Sequence, residues 1–192
     1  MRTIVSFMHV SLDGYVAGPN GELAWVNIGG EVSTDVDTRL RAIGTAMYGR
    51  TTYQMMEGYW PTVPANPASS TRDLEHAHWV EQIPKVVISN SLEAVTWNNT
   101  TLIRDQITEK LEVLKQQPGG EIMIFGSPRL THALARLNLI DEYLCYLNPV
   151  ILGSGTPLFE GAQQPVKLEL REEKRFDAGV IALRYRLHGR SD

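Results

Sequence analysis

Short apolar runs alternate along most of the chain with segments that have the periodicity of an amphipathic helix. The runs are rich in valine, isoleucine and phenylalanine, and most end close to glycine or asparagine, as β-strands do. Between them, apolar residues recur three or four positions apart, which is typical of a helix with one buried face. The predicted strands are residues 4–8, 46–48, 85–89, 102–103, 121–125 and 143–151. The predicted helices begin near Thr34, Thr51, Leu74, Asp105 and Ser127.

The last part of the chain has a different pattern. Val166, Leu168 and Leu170 alternate with charged residues, and the same alternation returns in residues 181–187. A short turn sequence, residues 177–179, lies between them, so this region is predicted to form an antiparallel hairpin with one solvent-facing side. The order of elements predicts an α/β fold followed by a β-hairpin, in one continuous domain over residues 1–192.

Two segments are predicted to be long loops. Residues 14–30 contain five glycines and Pro19, and residues 59–70 contain three prolines. Loops of this length in compact domains are usually functional or mobile. Trp25 lies in the first of them, where it fits an active-site lid and the anchor of a small core equally well.

Composition narrows the functions that the chain could have. Its 192 residues include 18 lysines and arginines and 22 acids, a net charge of −4, so no general field attracts polyanions. The single cysteine, Cys145, excludes an internal disulfide and a multi-cysteine zinc site. No apolar segment reaches the ~20 residues that a membrane helix needs, and the N-terminus lacks the pattern of a signal peptide. We therefore expect a cytoplasmic protein that binds neither nucleic acid, nor a membrane, nor a metal.

Two strand ends lead directly into helices through glycine, hydroxyl and arginine residues, at 48–52 and 125–130. A helix N-terminus presents unpaired N–H groups and the positive end of the dipole, and glycine lets an anion approach the backbone. Such segments suit phosphate, although each of them, taken alone, is more often simply a well-capped helix. Neither matches the dinucleotide or P-loop fingerprint. Two such sites at one sheet are compatible with a ligand that has separated phosphates.

With these motifs in view, the chain resembles a known family. Residues 47–53 resemble the glycine–arginine–threonine cofactor motif of dihydrofolate reductases. Residues 85–90 resemble their strand that leads to the adenosine, and 124–127 resemble their pyrophosphate turn. The early turn at 11–14 and the region 126–155 are more similar to the reductase domain of bacterial riboflavin biosynthesis. The resemblance covers nearly the whole chain, and the motifs follow the family's order.

The resemblance implies a dihydrofolate-reductase-like three-layer fold, in which helices flank a mixed, mostly parallel sheet that ends in a C-terminal antiparallel β-hairpin. It implies NADPH as hydride donor, a small heterocyclic substrate (pterin-like or aminopyrimidine), and commonly a homodimer. The activity would be like that of 5-amino-6-(5-phosphoribosylamino)uracil reductase or of dihydrofolate reductase. The deaminase that accompanies many riboflavin reductases would bring H-x-E and P-C-x-x-C motifs, which this sequence lacks. We therefore expect a free-standing reductase.

Matching positions carry the family's cofactor contacts onto this chain. The phosphates would lie at Gly49, Arg50, Thr51 and Thr52, and the 2′-phosphate would lie near Ser89 and Asn90. The pyrophosphate and the nicotinamide side would lie at Gly126, Ser127, Arg129 and Leu130. The nicotinamide ring would lie beside Val16 and Ala17. Because the cofactor supplies the hydride, the protein has only to orient it and, where needed, to deliver a proton.

The proton donor is less well defined. By resemblance it is Asp13 in the early turn or an acid of the first predicted helix, Asp35 or Asp37, and water is a further source. Each acid also suits a turn or a helix cap. Trp25 is the other residue that we place beside the chemistry. Because no donor is unambiguous, a second hypothesis stands: a dimeric NADP-binding or regulatory protein without turnover. The strand 143–151 fits a dimer interface and a central buried strand equally well.

Overall fold

A computed structural model describes residues 1–161 and 164–189, so the predicted domain boundary at residue 192 lies outside the described part. The strands are β1 (Ile4–Ser11), β2 (Tyr15–Ala17), β3 (Ile43–Gly49), β4 (Lys85–Ile88), β5 (Thr100–Ile103), β6 (Glu121–Phe125), β7 (Glu142–Asn148), β8 (Thr156–Pro157), β9 (Leu168–Arg175) and β10 (Ile181–Leu187). The helices are α1 (Gly30–Leu40), α2 (Arg50–Tyr59), α3 (Thr71–Gln82), α4 (Ile107–Gln116) and α5 (Pro128–Arg136), with a 3₁₀ helix at Trp60–Ala65. No helix in these residues is long and apolar enough to span a bilayer.

Eight of the strands form one sheet in the order β5-β4-β3-β6-β1-β7-β10-β9. The six strands from β5 to β7 pair in parallel. The strand β10 then runs antiparallel to both β7 and β9. The predicted α/β fold, with a mixed and mostly parallel sheet and a C-terminal antiparallel hairpin, is confirmed.

Both faces of the sheet are covered by helices. Because side chains alternate along a strand, neighbouring residues of β1 enter different cores. Val5 packs with residues of α1, α2 and α3, which include Val32 and Tyr53. Ile4 packs on the other face with residues of α4 and α5, which include Leu111 and Leu134. The molecule therefore has three layers, as the family resemblance implies.

The first helix begins earlier than the sequence predicts. Thr34 does not cap it, because its hydroxyl donates to the Gly30 carbonyl one turn back (3.3 Å), as the Ser33 hydroxyl also does (2.7 Å). Hydroxyl side chains that bond to the preceding turn are compatible with the interior of a helix. The prediction of a cap at Thr34 is wrong, and Gly29 occupies the cap position.

Both predicted loops contain regular structure. In the first, β2 pairs antiparallel with β8. In the second, the segment after α2 continues as the 3₁₀ helix, with Pro61 in its first turn, where a missing N–H costs no hydrogen bond. The proline-rich segment thus extends the wall that α2 begins.

Candidate cofactor and substrate site

The two predicted phosphate motifs lie side by side at the carboxyl edge of the sheet. They follow β3 and β6, which are neighbours. From β3 the chain continues through α2 and α3 to β4 on one side, whereas from β6 it continues through α5 to β7 on the other. Connections that diverge from adjacent parallel strands leave a crevice between them, the usual ligand position in open α/β sheets.

The two motifs touch across this crevice. The Gly49 backbone N–H donates to the Ser127 hydroxyl (3.0 Å), which itself donates to the Phe125 carbonyl (3.1 Å). A Cβ on Gly49 would lie 3.5 Å from the Leu130 Cβ. A Cβ on Gly126 would lie 3.8 Å from the Thr52 side chain, so both missing side chains would occupy space between the motifs. Ser127 stands at the predicted cap position, but its hydroxyl joins the motifs and does not cap α5.

The helices α2 and α5 share a feature that the other α-helices of the described residues lack. Neither has a side-chain cap or an acidic residue in its first turn. The first turns of α1, α3 and α4 carry Glu31, Asp73 and Glu109, respectively. The amides of α2 and α5 therefore keep their positive dipole ends without a carboxylate of the protein beside them. Such an end favours an anion.

Hydroxyl and arginine side chains gather at the end of β4. The Arg50 guanidinium donates to the Ser91 hydroxyl (3.0 Å), and the Ser89 hydroxyl accepts from the Leu92 N–H (3.1 Å). The Arg104 guanidinium donates to the Asn90 carbonyl (3.1 Å) from the end of β5. Sequence analysis missed Arg104, because only the order of the strands brings it next to the motif at Ser89.

Three exposed arginines, Arg50, Arg104 and Arg129, therefore lie along this edge, each just after a strand or at a helix start. Thr51 is exposed and Thr52 half-buried in the first turn of α2. Although the chain has a net charge of −4, these three arginines are concentrated at this edge. The described residues contain no cluster of acids, histidines and cysteine that could hold a metal ion.

Asp13 connects the loop after β1 to the loop after β7. Its carboxylate accepts hydrogen bonds from the Ser11 hydroxyl (2.7 Å) and from the N–H groups of Leu152 (3.1 Å) and Gly153 (2.7 Å). The Ser11 hydrogen bond in particular lowers the pKa of Asp13. This environment favours the carboxylate, which is the form that has no proton to donate.

Val16, Ala17 and Trp25 lie in the same loop region. Val16 is buried against Met8 and Val10 of β1. The Ala17 carbonyl would clash with any side chain at Gly155, since it lies 2.0 Å from the position of a Cβ there. The half-buried Trp25 donates its indole N–H to the Glu22 carbonyl (3.0 Å), a contact within its own loop.

The two aspartates of α1 are both engaged in ion pairs. Asp35 is buried and accepts hydrogen bonds from Arg39, Lys174 and the Tyr146 hydroxyl. Burial alone would raise the pKa of Asp35, but these hydrogen bonds outweigh burial and lower it. Asp37 forms a bidentate pair with Arg72 (2.8 and 3.0 Å). Both carboxylates hold α1 to its neighbours, so neither is a free acid at the crevice.

A series of aromatic rings runs over the face of the sheet that α1 and α3 cover. Sequence analysis did not identify this series, although its first two rings, His9 and Phe7, are alternate residues of β1. Successive ring centroids are 4.2 to 5.9 Å apart in the order His9, Phe7, Phe125, Trp79, His76, Trp60. Phe125 is the first residue of the second phosphate motif, so the series reaches the crevice.

Comparison with known proteins identifies the fold and the family. The RibD C-terminal domain family model matches residues 2–182. The chain is 31% identical to YyaP of Bacillus subtilis, an uncharacterized protein, over 98% of this chain and 96% of that one. It is similar to a Shewanella sp. PV-4 protein provisionally assigned to riboflavin biosynthesis (TM-score 0.75, 20% identity, 96% and 98% of the two chains).

A second solved structure with the same fold is dihydrofolate reductase from Enterococcus faecalis, complexed with NADP(H) (TM-score 0.60, 13% identity, 97% and 96% of the two chains). These comparisons place the chain in the class of dihydrofolate-reductase-like folds. Within that class, the chain belongs to the RibD C-terminal domain family.

Proposed function

We propose that this protein is an NADPH-dependent reductase that transfers hydride to a small planar heterocycle, pterin-like or aminopyrimidine. One observation carries the proposal: two uncapped helix starts without first-turn acids meet at the crevice between β3 and β6. A dinucleotide with a pyrophosphate and a further phosphate needs more than one such anion site. The E. faecalis relative in complex with NADP(H) supports the choice of a nicotinamide cofactor.

The residues of the crevice fit this cofactor. The glycines at 49 and 126 leave open the space that a Cβ would fill, and the amides of α2 and α5 would hold the phosphates together with Thr51, Thr52 and Ser127. Arg50 and Arg104, with Ser89 and Asn90, would take the 2′-phosphate. Arg129 and Leu130 would border the pyrophosphate side, and Val16 and Ala17 the nicotinamide side.

Bound NADPH supplies a hydride, and a C=N or C=O group of the substrate takes up that hydride and one proton. The residues of this chain have to bind and orient both molecules and keep bulk water from the reacting atoms. Phe7 and Phe125 give an apolar wall next to the crevice, and Asp13 holds two of the loops that border it. We keep Trp25 in the proposed site as part of the loop above it.

A second function, NADP binding without turnover, is favoured by the state of the three candidate acids. Asp13, Asp35 and Asp37 are all hydrogen-bonded or paired as carboxylates. If none of them delivers a proton, turnover requires water or another group. A protein that binds the cofactor but reduces no substrate would match this hypothesis.

We further propose a homodimer in the cytoplasm, formed through the outer sheet of β7, β10 and β9. On the face opposite α1, Tyr143, Tyr185 and Leu170 stand in one row across these three strands. Leu170 is 47% exposed and Leu168 is 37% exposed. An exposed apolar row of this kind on an outer strand suits a second copy. The single cysteine also supports a cytoplasmic location, because proteins of the reducing cytosol rarely contain disulfides.

The cofactor proposal is tested by Gly49→Asp. Gly49 has an ordinary extended conformation (φ −83°) at the cap of α2, where aspartate is a favourable residue, so the variant should fold. Its carboxylate would take the place of the phosphate. We expect NADPH affinity, measured by fluorescence titration, to fall by ~100-fold or more, since one unit of like charge replaces a charge-assisted contact.

Gly29→Asp is the matched control. Gly29 caps α1 with nearly the same conformation (φ −89°, ψ 167°) and the substitution changes the net charge equally. Its NADPH affinity should stay within ~3-fold of the wild type, because Gly29 belongs to neither of the two phosphate motifs. If wild-type protein does not bind NADPH, or if both variants bind it equally well, the cofactor site is wrong. If NADPH binds but neither 5-amino-6-(5-phosphoribosylamino)uracil nor 7,8-dihydrofolate is reduced, the second function gains support.

A further inference from the structure

We propose that His9 is the hydrogen-bond donor of the substrate half of the crevice, and that Asn148 positions it by fixing its imidazole in the Nε2–H form. The acceptor would be a carbonyl oxygen or ring nitrogen of a planar heterocycle. This proposal rests on the proposed function, since it assigns a residue to the substrate side of the same site. His9 and Asn148 lie on neighbouring parallel strands, β1 and β7, and on the same face of the sheet.

The orientation of the Asn148 amide follows from its two backbone contacts. Asn148 is 1% exposed. Its Oδ1 accepts from the Asn27 backbone N–H (3.0 Å), and its Nδ2 donates to the Tyr146 carbonyl (2.8 Å). An N–H can only donate and a carbonyl can only accept, so the flipped amide would lose both hydrogen bonds. The nitrogen of the amide therefore has a fixed position.

That nitrogen determines where His9 carries its proton. Asn148 Nδ2 lies 3.4 Å from His9 Nδ1. Because Nδ2 is a donor, a proton on Nδ1 would set two donors against each other, whereas an unprotonated Nδ1 accepts. A neutral imidazole with an unprotonated Nδ1 has its hydrogen on Nε2. Burial also lowers the pKa of His9 to about 4, so the ring is neutral at pH 7.

The Nε2–H group has no hydrogen-bond partner among the described residues. Every buried side-chain nitrogen or oxygen in the described residues has a hydrogen-bond partner, and His9 Nε2 forms no hydrogen bond with any of those residues. The atom therefore reaches accessible space. The His9 ring packs against Phe7 (centroids 5.6 Å apart) and Tyr146 (5.2 Å). Its Nε2–H is then the polar group beside the aromatic series.

A donor of this type complements the substrate class. A neutral N–H that points at a carbonyl oxygen or ring nitrogen withdraws electron density and makes the neighbouring carbon a better hydride acceptor. A neutral imidazole does this without placing a positive charge beside NADP⁺, the product form of the cofactor. Among the described residues, the hydrogen-bond partner of His9 is the Asn148 amide and not a carboxylate.

The experiment has a spectroscopic part and a kinetic part, both on the full chain. In ¹⁵N-histidine NMR with saturating NADP⁺ at pH 7, His9 should show a protonated Nε2 and an unprotonated Nδ1. Asn148→Asp keeps the shape of the side chain but replaces the donor by an acceptor, so the proton should move to Nδ1. A wild-type spectrum with protonated Nδ1, or with no change in the variant, overturns the proposal.

In the kinetic part, 5-amino-6-(5-phosphoribosylamino)uracil and 7,8-dihydrofolate are the probes. His9→Leu should lower kcat by ~10- to 100-fold, as expected for the loss of one donor to the reacting group, with an unchanged Kd for NADPH. His9→Gln, which restores an N–H near the Nε2 position, should recover to within ~5-fold of the wild type. Equal turnover in His9→Leu and wild type would refute the role of His9.

The two proposals fail in different ways. If the wild type does not bind NADPH, the reductase proposal is refuted. The NMR result then decides separately which nitrogen of His9 carries the hydrogen. If NADPH binds but the complex with NADP⁺ takes up neither probe in calorimetry, the substrate class is wrong and His9 has no acceptor of the proposed kind.

Discussion

Replacing His76 should make the protein less sensitive to acid. His76 lies on α3 between the rings of Trp60 (4.2 Å) and Trp79 (5.3 Å). Burial, with a smaller contribution from the charge of Arg72, lowers its pKa from 6.5 to about 4, although Asp37 and Asp73 act in the opposite direction. Since His76 regains its usual pKa on unfolding, the unfolded chain binds more protons than the folded one between about pH 4 and 6.5.

The size of the effect follows from these two values. The difference between a pKa of about 4 in the folded protein and 6.5 in the unfolded chain corresponds to a loss of at most about 3.4 kcal/mol of unfolding free energy. This loss is reached below pH 4. Between pH 7.5 and 5.0, His76 should remove about 2 kcal/mol of unfolding free energy as the pH falls. His76→Phe keeps a ring between the two tryptophans but cannot be protonated, so its loss over this interval should be smaller by that amount.

Urea unfolding at both pH values, followed by tryptophan fluorescence, measures this difference. His78→Phe is the control, because His78 lies on the same helix but is exposed, and its pH dependence should match that of the wild type. The reasoning is refuted if His76→Phe and the wild type lose equal stability between pH 7.5 and 5.0. A direct NMR titration that gives His76 a pKa near 6.5 in the folded protein would refute it as well.

Three further predictions concern separate parts of the molecule. Asp35→Asn leaves Arg39 and its neighbours without their buried carboxylate and should cost about 3 kcal/mol in urea unfolding. Arg50→Ala should weaken NADPH binding by ~10-fold but leave NADH binding unchanged in fluorescence titrations, whereas the exposed Arg41→Ala should alter neither. Leu170→Lys should raise the dissociation constant of the proposed dimer by at least ~10-fold in analytical ultracentrifugation, and an unchanged value would place the interface elsewhere.

Much of the fold could be predicted from the sequence because its signals are local. A short apolar run that ends in glycine and leads into a helix, as at Gly49 and Gly126, needs no distant contact to be identified. The cap of the first helix could not be found in this way, because Thr34 suits both a cap and a bond to the preceding turn. Only the packed structure decides between the two.

The rest of the candidate site depends on contacts between distant parts of the chain. Arg104 reaches the motif at Ser89 and Asn90 because β5 pairs with β4. The aromatic series joins Phe7 to Phe125 through strand pairing between residues more than 100 positions apart. Nothing in the sequence indicates that His9 and Asn148 are partners, because they are 139 positions apart. Such contacts are set by topology, which single motifs do not encode.

The Asn148 amide also connects the glycine-rich loop to the imidazole. Its orientation depends on the N–H of Asn27, which lies in the same loop as Trp25. Any movement of this loop that broke the Asn27 contact would remove one of the two hydrogen bonds that prevent the amide from rotating, and with it half of the constraint on His9. The loop would then control more than access to the crevice. Whether the Asn27 contact is made would also determine which nitrogen of His9 holds the hydrogen, so that the loop and the imidazole would change together.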